Sequence, residues 1–308
     1  MRFLVIGGAG FIGSHLVEYL VSKGEEVTVI DNFVTGRKSN LYDILPHIKI
    51  VVNTPKNLNY LIKNTDYVYH LAGSVGVNYI NENPKESVLN NLNMIMSVCE
   101  LAERYNKPVL FTSTSEVYGN SKLLPFNEEN HLCIGTPEGK RWSYSCAKLM
   151  GEFLLKIHSF PSVIIRPFNI VGERQLPNYG MVLPNFIQNA MIDDDIIING
   201  DGRQVRCFCY VRDILEPLYR LLTEPENHNE IYNIGNPDNL YSMKDLAEIV
   251  IKQLDSDSKI VYDKIRYDTD VYVRVPSIDK VKQKLNWKPT TGIEDIIDVH
   301  SSFAAHDM

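Results

Sequence analysis

The chain has 308 residues, of which 44% are hydrophobic, and it carries a net charge of −7 at pH 7. This length suffices for one large core and a smaller lobe, and the acidic balance excludes the broad basic surface that nucleic acid or an anionic membrane would require. No apolar stretch approaches the roughly 20 residues of a membrane span, and the N-terminus enters a strand without a signal peptide, so we expect a cytoplasmic protein.

The N-terminus has the pattern of a strand, a glycine-rich turn and a helix. Residues 2–6 form an apolar run typical of a buried parallel strand, and helical periodicity continues to about residue 22. Three glycines between them have the spacing that allows a tight turn, close approach to a pyrophosphate and close packing of helix on strand. The residues predicted to contact a dinucleotide here are Gly7, Gly10, Phe11, Ile12 and Gly13.

A second predicted strand, residues 26–30, ends in Asp31. A carboxylate at this distance past the glycines accepts hydrogen bonds from the adenosine ribose and would repel a 2′-phosphate. The sequence therefore favours NAD over NADP as the cofactor.

Strands and helices alternate over the first two thirds of the chain. Further strands are predicted near residues 49–52, 66–71, 108–112 and 162–166, with helices near 85–105 and 143–159. This α/β pattern predicts a Rossmann-type doubly wound parallel sheet, whose strands all end at the edge where ligands gather. Weaker elements follow, namely helices near 181–191, 243–254 and 294–300 and short strands around 196–198 and 207–211. We predict an NAD-binding domain of residues 1–166, with later segments interleaved, and a smaller substrate-binding lobe of residues 167–308.

Tyr144 and Lys148 lie four residues apart in a predicted helix, so they share one of its faces. A tyrosine has a pKa of about 10, and a neighbouring ammonium group can lower that pKa and favour the phenolate. The pair therefore predicts a catalytic base in which Lys148 assists Tyr144.

The five cysteines are scattered and predict reduced thiols. Cys207 and Cys209 have no histidine or cysteine partner at metal-ligand spacing, so we predict no metal site.

Seven segments together resemble the extended short-chain dehydrogenase/reductase superfamily. They are the glycine-rich turn, Asp31-Asn32, His70-Leu71-Ala72, residues 113–119, the Tyr144/Lys148 pair, residues 166–169 and residues 200–202. The resemblance implies that NAD stays bound, that the substrates are nucleotide-diphosphate sugars, and that every reaction begins by oxidation at C4 of the sugar. It extends the implied cofactor contacts to Asn32, Thr35, Leu71, Ala72, Tyr144 and Lys148.

The resemblance also implies roles for the catalytic residues. Tyr144 would remove the C4 hydroxyl proton, and Lys148 would hold the nicotinamide ribose and keep the tyrosine ionised. Thr114 would orient the C4 oxygen, although a strand-end threonine can instead cap the turn that follows it. Asn91 corresponds to a family residue that faces the active site, with capping or packing as the alternative.

Ser115 and Glu116 distinguish the subfamily. Family 4,6-dehydratases have an Asp-Glu pair here, and simple 4-epimerases have small hydroxyl residues, whereas the Thr-Ser-Glu-Val-Tyr-Gly form is similar to UDP-glucuronate decarboxylases. In that reaction the oxidised glucuronosyl group is a β-keto acid that loses carbon dioxide, and Ser115 and Glu116 would return a proton to C5. The alternative for Glu116 is a solvent-facing or arginine-paired turn residue. The alternatives for the protein are 4-epimerisation of a UDP-hexose or UDP-hexuronate and a sensor that binds NAD without turnover.

Several residues resemble family contacts to the UDP-sugar. Arg206 and Arg274 match positions that grip the diphosphate with bidentate geometry, and further contacts are implied for Asn169, Arg174 and Gln175. Three tyrosines could stack on a base or reach a hydroxyl, with core packing as the alternative, namely Tyr179, Tyr210 and Tyr272. Asn53 stands where an aspartate usually meets the adenine. Family members often dimerise through the helices at 85–105 and 143–159, which makes a homodimer the expected assembly.

Overall fold

The computed structural model describes residues 1–52, 55–73, 83–139, 141–177, 180–263 and 271–307. Its strands are β1 (Arg2–Ile6), β2 (Glu26–Asp31), β3 (Ile48–Val52), β4 (Tyr67–His70), β5 (Val109–Thr112), β6 (Ser162–Pro167), β7 (Ile170–Val171), β8 (Ile196–Asn199), β9 (Val205–Cys207), β10 (Cys209–Tyr210), β11 (Glu230–Ile234), β12 (Leu240–Ser242), β13 (Ile260–Asp263) and β14 (Val273–Arg274). Its helices are α1 (Phe11–Ser22), α2 (Pro55–Lys63), α3 (Pro84–Tyr105), α4 (Arg141–Ile157), α5 (Val182–Met191), α6 (Leu215–Thr223), α7 (Met243–Gln253), α8 (Asp279–Leu285) and α9 (Ile293–Asp307).

Within the described ranges, the central sheet has seven parallel strands in the order β11-β6-β5-β4-β1-β2-β3. Alternate side chains of each strand point to opposite faces, and both faces are buried, so the strands are apolar almost throughout. One face packs into the core that includes Val5, Tyr69, Leu110 and Ile165. The other packs into the core that includes Leu4, Val68, Phe111 and Ile164. The predicted doubly wound α/β sheet is therefore confirmed.

A further core lies among α5, α7, α9 and β8 and includes Phe186, Leu246 and Ile297. Next to it, β9 pairs antiparallel with β12 and parallel with β14, and β10 pairs with β7. No helix in the described ranges has the length and apolar composition needed to cross a bilayer.

The structure departs from the predicted secondary structure in several elements, including α2, α6 and α8, which the sequence patterns missed. The predicted strand at 207–211 is two strands, because Phe208 separates β9 from β10 and the two join different sheets. The last helix is longer than predicted and spans Ile293–Asp307. The sequence patterns also missed β11, which returns from the C-terminal part of the chain to pair with β6 as an edge strand of the central sheet.

Candidate active site

The glycine-rich turn between β1 and α1 leaves backbone exposed where a phosphate would lie. Gly7 has a φ of +85°, and a Cβ built on it would lie 2.7 Å from the backbone nitrogen of Ala72. A Cβ on Gly13 would collide with the carbonyl oxygen of Gly7. Helix α1 begins at Phe11, and its N-cap Gly10 supplies no side-chain hydrogen bond. The first N–H groups of the helix therefore remain available for an anion, as a dinucleotide pyrophosphate requires.

Asp31 is buried at the end of β2 and orders this turn. Its carboxylate accepts hydrogen bonds from the backbone nitrogens of Ala9 at 2.9 Å and Phe33 at 2.8 Å. A carboxylate can accept further hydrogen bonds, so Asp31 could still bind the adenosine ribose. That contact stays a prediction. The ends of β1 and β4 meet here, because the backbone nitrogens of Leu71 and Ala72 both donate to Ile6 at 2.9 Å.

Other predicted cofactor contacts lie on the loop after β2. Asn32 is exposed, and its side-chain oxygen accepts a hydrogen bond from the backbone nitrogen of Val34 at 3.1 Å. Thr35 is half-buried. Asn53 lies outside the described residues, so the expected departure at the adenine contact stays untested.

Thr114 and Tyr144 meet at the carboxyl end of β5. Thr114 is the N-cap of the short 3-10 turn Ser115–Tyr118, and its Oγ1 accepts a hydrogen bond from the backbone nitrogen of Glu116 at 3.2 Å. The Thr114 hydroxyl also hydrogen-bonds to the side chain of Tyr144. Thr114 therefore caps the turn, as one of its two alternatives stated, and hydrogen-bonds to the phenol, whereas its contact with the C4 oxygen stays a prediction.

The pKa of Tyr144 is raised, contrary to the lowering that the sequence predicted. Burial is the largest cause, and the negative charge of Glu116 adds to it, whereas the hydrogen bond from Thr114 opposes them. Lys148 does not offset this rise; burial lowers the pKa of its ammonium to about 8, so the lysine is still mostly protonated at pH 7. The phenol is therefore protonated at neutral pH until further positive charge reaches the site.

Lys148 is held on the inner face of α4. Its ammonium donates to the carbonyl oxygen of Thr112 at 2.9 Å, and only 3% of the residue is exposed. A Cβ built on Gly73 would lie 2.9 Å from Lys148 Nζ and 3.1 Å from Asn91 Oδ1, which places Asn91 beside the lysine. Burial lowers the pKa of nearby His70 to about 3, so its imidazole is neutral and adds no repulsion.

The free energy of unfolding of the Lys148→Met variant, minus that of the wild type, is expected to fall as the pH rises. The folded-state pKa of about 8 is below the model-peptide value of 10.5, so below pH 8 the folded protein contains a buried charge that the unfolded chain solvates freely. This cost disappears between pH 8 and pH 10.5. The difference between the two pKa values corresponds to roughly 3 kcal/mol. Chemical denaturation of both proteins across this range measures the difference. A constant difference would contradict the assignment.

Glu116 and Arg274 form an ion pair next to Tyr144. The guanidinium Nη1 of Arg274 donates to Glu116 Oε1, and the exposed fractions of the two side chains are 4% and 19%, respectively. Within the described residues, Nε and Nη2 of Arg274 are buried and have no hydrogen-bond partner. The glutamate is thus an arginine-paired turn residue, as its alternative stated, but its partner is itself a predicted substrate contact.

Arg206 lies next to this pair, whereas Asn169 and Arg174 have partners elsewhere. Arg206 on β9 is the register partner of Arg274 on β14, so both side chains leave the small sheet on one face. Asn169 donates to the carbonyl oxygen of Cys207 at 2.7 Å. Arg174 has a φ of +67° and is ion-paired with Glu18 on α1.

Gln175 and the predicted tyrosines have mixed surroundings. The Gln175 amide donates to the carbonyl oxygen of Ile170 at 3.1 Å. Tyr210 is half-buried and donates to Glu173 at 3.3 Å, whereas Tyr272 is 45% exposed. Tyr179 lies outside the described residues. Cys207 and Cys209 are buried in separate strands, and burial raises the pKa of the Cys207 thiol to about 12.

Residues 3–235 match the NAD dependent epimerase/dehydratase family. The chain belongs to this family. The match confirms the predicted resemblance, the predicted cofactor NAD and the prediction of an enzyme, and it spans the glycine-rich turn, the Thr114–Glu116 segment and the Tyr144/Lys148 pair.

Relatives of known activity cover almost the whole chain. The UDP-N-acetyl-alpha-D-glucosaminuronate decarboxylase of Bacillus cytotoxicus is 35% identical over 305 residues, which are 95% of this chain and 94% of that protein. UDP-glucuronic acid decarboxylase 1 of Arabidopsis thaliana is 34% identical over 299 residues, which are 96% of this chain and 68% of that protein. The solved UDP-glucuronic acid 4-epimerase of Bacillus cereus, in complex with UDP-glucuronic acid and NAD, superposes with a TM-score of 0.90 at 25% identity over the full length of both chains.

Sequence reasoning offered an arginine partner for Glu116 but did not identify it as Arg274. The two residues are 158 positions apart, and no local pattern links them. A further omission is Asn233, to which the sequence analysis gave no role. It is fully buried below the site.

Proposed function

We propose that this protein is an NAD-dependent UDP-hexuronate decarboxylase, with UDP-glucuronate as the first substrate to test. The observation that carries the proposal is the Glu116–Arg274 pair beside the hydrogen-bonded Thr114 and Tyr144. C4 oxidation in an epimerase needs the tyrosine and the lysine but no carboxylate. A buried guanidinium with two N–H groups available for an anion suits a substrate that has a carboxylate at C5.

The first half of the reaction takes place at C4. The phenol oxygen of Tyr144 removes the proton of the C4 hydroxyl group, and Thr114 orients that hydroxyl through its own. NAD, held by the glycine-rich turn and Lys148, would supply the acceptor for the C4 hydride and its later return, and its positive charge would favour the phenolate. The ammonium of Lys148, held by its hydrogen bond to the carbonyl oxygen of Thr112, also stabilises the negative charge of the phenolate.

Loss of carbon dioxide follows from the ketone. The C5 carboxylate is then β to a carbonyl group, so the C5–C6 bond breaks and its electron pair moves to the C4 oxygen as an enolate. The hydroxyl groups of Tyr144 and Thr114 stabilise that oxygen. C5 then takes a proton from a water held by Ser115 or from Glu116, which first takes that proton from solvent, so the overall reaction consumes one proton from solvent. The exposed part of Glu116 gives that proton a route into the site.

Arg274 has a different role in this mechanism from the one that resemblance implied. Because the side chain of Arg274 lies against Glu116, we propose that it holds the carboxylate of the sugar. Its positive charge would then compensate both that carboxylate and the carboxylate of Glu116. Arg206, on the next strand of the same small sheet, remains the proposed diphosphate ligand. Asn169, Arg174 and Gln175 stay proposed as supports or contacts of the sugar nucleotide.

The division into lobes follows the same proposal. Residues 1–166, joined by β11, would hold the cofactor, and the remainder of 167–308 would close over the nucleotide sugar. A cytoplasmic location suits the chain, because all five cysteines lie in described ranges and have free thiols.

Product analysis tests the proposal directly. The purified protein is incubated separately with UDP-glucuronate, UDP-N-acetylglucosaminuronate and UDP-glucose, and the products are followed by mass spectrometry and NMR. Release of carbon dioxide and a UDP-pentose from either uronate supports decarboxylation. An unchanged mass with inverted C4 would establish epimerisation instead, as the similar fold of the Bacillus cereus epimerase allows. No conversion of any donor would favour a sensor.

We further propose that the protein is a homodimer that pairs through α3 and α4. Both helices expose apolar side chains at helical spacing, so each has an outer apolar stripe. This α3–α4 face consists of Leu89, Met96, Met150, Phe153 and Ile157, which are between 46% and 74% exposed. The opposite face of α4 contains Tyr144 and Lys148, so pairing of two copies would also support the catalytic helix.

The Phe153→Glu variant is expected to be monomeric. Phe153 is 56% exposed in the middle of the α4 stripe, so a charge there costs little in the monomer but would be buried in the dimer. Light scattering after size-exclusion chromatography measures the mass. Ile192→Glu is the matched control, because Ile192 is also 56% exposed but lies after α5. A wild-type monomer, or a dimer that survives the substitution, would refute this interface.

A further inference from the structure

Asn233 on β11 uses its whole side-chain amide within the protein. Its Nδ2 donates to the carbonyl oxygens of Phe126 at 2.9 Å and Ser277 at 3.2 Å, and its Oδ1 accepts from the hydroxyl of Tyr118 at 2.7 Å. The residue is fully buried. A buried amide with both donors and its acceptor engaged holds its neighbours in one arrangement.

One side of this amide reaches the turn that contains Glu116. Tyr118 is the last residue of that 3-10 turn, and its ring stacks on Phe126 with 4.7 Å between the centroids. Its hydroxyl also accepts a hydrogen bond from Arg166 at 3.0 Å. Because Arg166 is ion-paired with the buried Glu152, the donor to Tyr118 is itself fixed.

The other side of the amide reaches the segment that contains Arg274. The backbone of Phe126 donates to Val275 and accepts from Ser277, each at 2.8 Å, so the residues directly after Arg274 are bound to it. Asn233 donates to both partners of this bridge. Its amide thus joins two segments that are distant in sequence and that supply the two members of the ion pair.

We propose that Asn233 and Tyr118 are positioning residues that set the distance between Glu116 and Arg274 and thereby control loss of carbon dioxide more than C4 oxidation. The inference rests on the proposed function and deepens it. Oxidation depends on Tyr144 and Lys148, which α4 holds, and Lys148 has its own hydrogen bond to the carbonyl oxygen of Thr112. Decarboxylation and return of the proton depend on two groups from separate segments, and a displacement of about 1 Å between reacting groups can cost a hundred-fold in rate.

The Tyr118→Phe variant tests the link because it removes one hydroxyl and keeps the stacked ring. Carbon dioxide release is expected to fall about ten-fold, whereas formation of the reduced cofactor in the first turnover should change less than about two-fold. Tyr232→Phe is the matched control, since Tyr232 is also buried on β11 but donates to Asn227, away from the site. Equal losses in both steps, or the same loss in the control, would overturn the proposal.

Hydrogen exchange gives a second readout that does not depend on activity. In Tyr118→Phe the amides of residues 113–119 and 271–278 should exchange faster together, by about ten-fold, and neither segment should change in Tyr232→Phe. If the wild type releases no carbon dioxide from any UDP-hexuronate, the proposed function fails but this comparison still decides the link. Faster exchange in one segment alone, or in neither, would refute it.

Discussion

Replacing Tyr144 by phenylalanine is expected to lower kcat about a thousand-fold, in the range usual for a positioned acid or base. The variant keeps the ring and its packing in α4 but loses the oxygen that removes the C4 proton and later stabilises the enolate. Affinity for NAD and for the nucleotide sugar should change by less than about three-fold, because the loss falls on the transition state. Steady-state kinetics and titration of both ligands measure the two effects.

Tyr69→Phe is the control for this experiment. Tyr69 is a fully buried phenol on β4 that donates to the carbonyl oxygen of Leu218, on the face of the sheet away from α4. Its loss should affect stability and leave kcat within about two-fold. If Tyr144→Phe retains a tenth or more of the wild-type rate, another group must remove the C4 proton and the mechanism is wrong.

Features that depend on neighbours in sequence were predictable. The glycine-rich turn follows from the need for close backbone approach at Gly7 and Gly13, where a Cβ would meet Ala72 or the turn itself. The shared face of Tyr144 and Lys148 follows from helical spacing. Both predictions required only the period of the element and the size of a side chain.

Features that depend on long-range contact were not predictable. Glu116 pairs with Arg274, which lies 158 residues further along the chain. Arg174 has a left-handed backbone conformation and pairs with Glu18 on α1. The raised pKa of Tyr144 depends on how deeply α4 is buried and on the approach of Glu116. Strand β11 became visible only through its pairing with β6, since Glu230 and Asn233 interrupt its apolar pattern.

The Glu116→Gln variant is expected to lower carbon dioxide release about a hundred-fold, because it removes the group that returns a proton to C5. Oxidation at C4 should persist within about three-fold, since Thr114, Tyr144 and Lys148 are unchanged. The 4-keto sugar would then accumulate, and borohydride trapping followed by mass spectrometry measures it.

Arg274→Lys is the companion to this variant, and it separates charge from geometry. Lysine keeps the positive charge beside Glu116 but lacks the planar pair of N–H groups that a carboxylate accepts, so KM for UDP-glucuronate should rise about ten-fold. The uncharged sugar of UDP-glucose should bind equally well to both proteins, which isolates the C5 carboxylate as the cause.

In Glu116→Gln the buried guanidinium also loses its compensating charge, so we expect the free energy of unfolding to fall by about 1–3 kcal/mol. This loss is smaller than for a fully buried pair because Glu116 is partly exposed. Equal loss of oxidation and decarboxylation in Glu116→Gln would place the glutamate in the first step and remove the reason for preferring a decarboxylase to an epimerase.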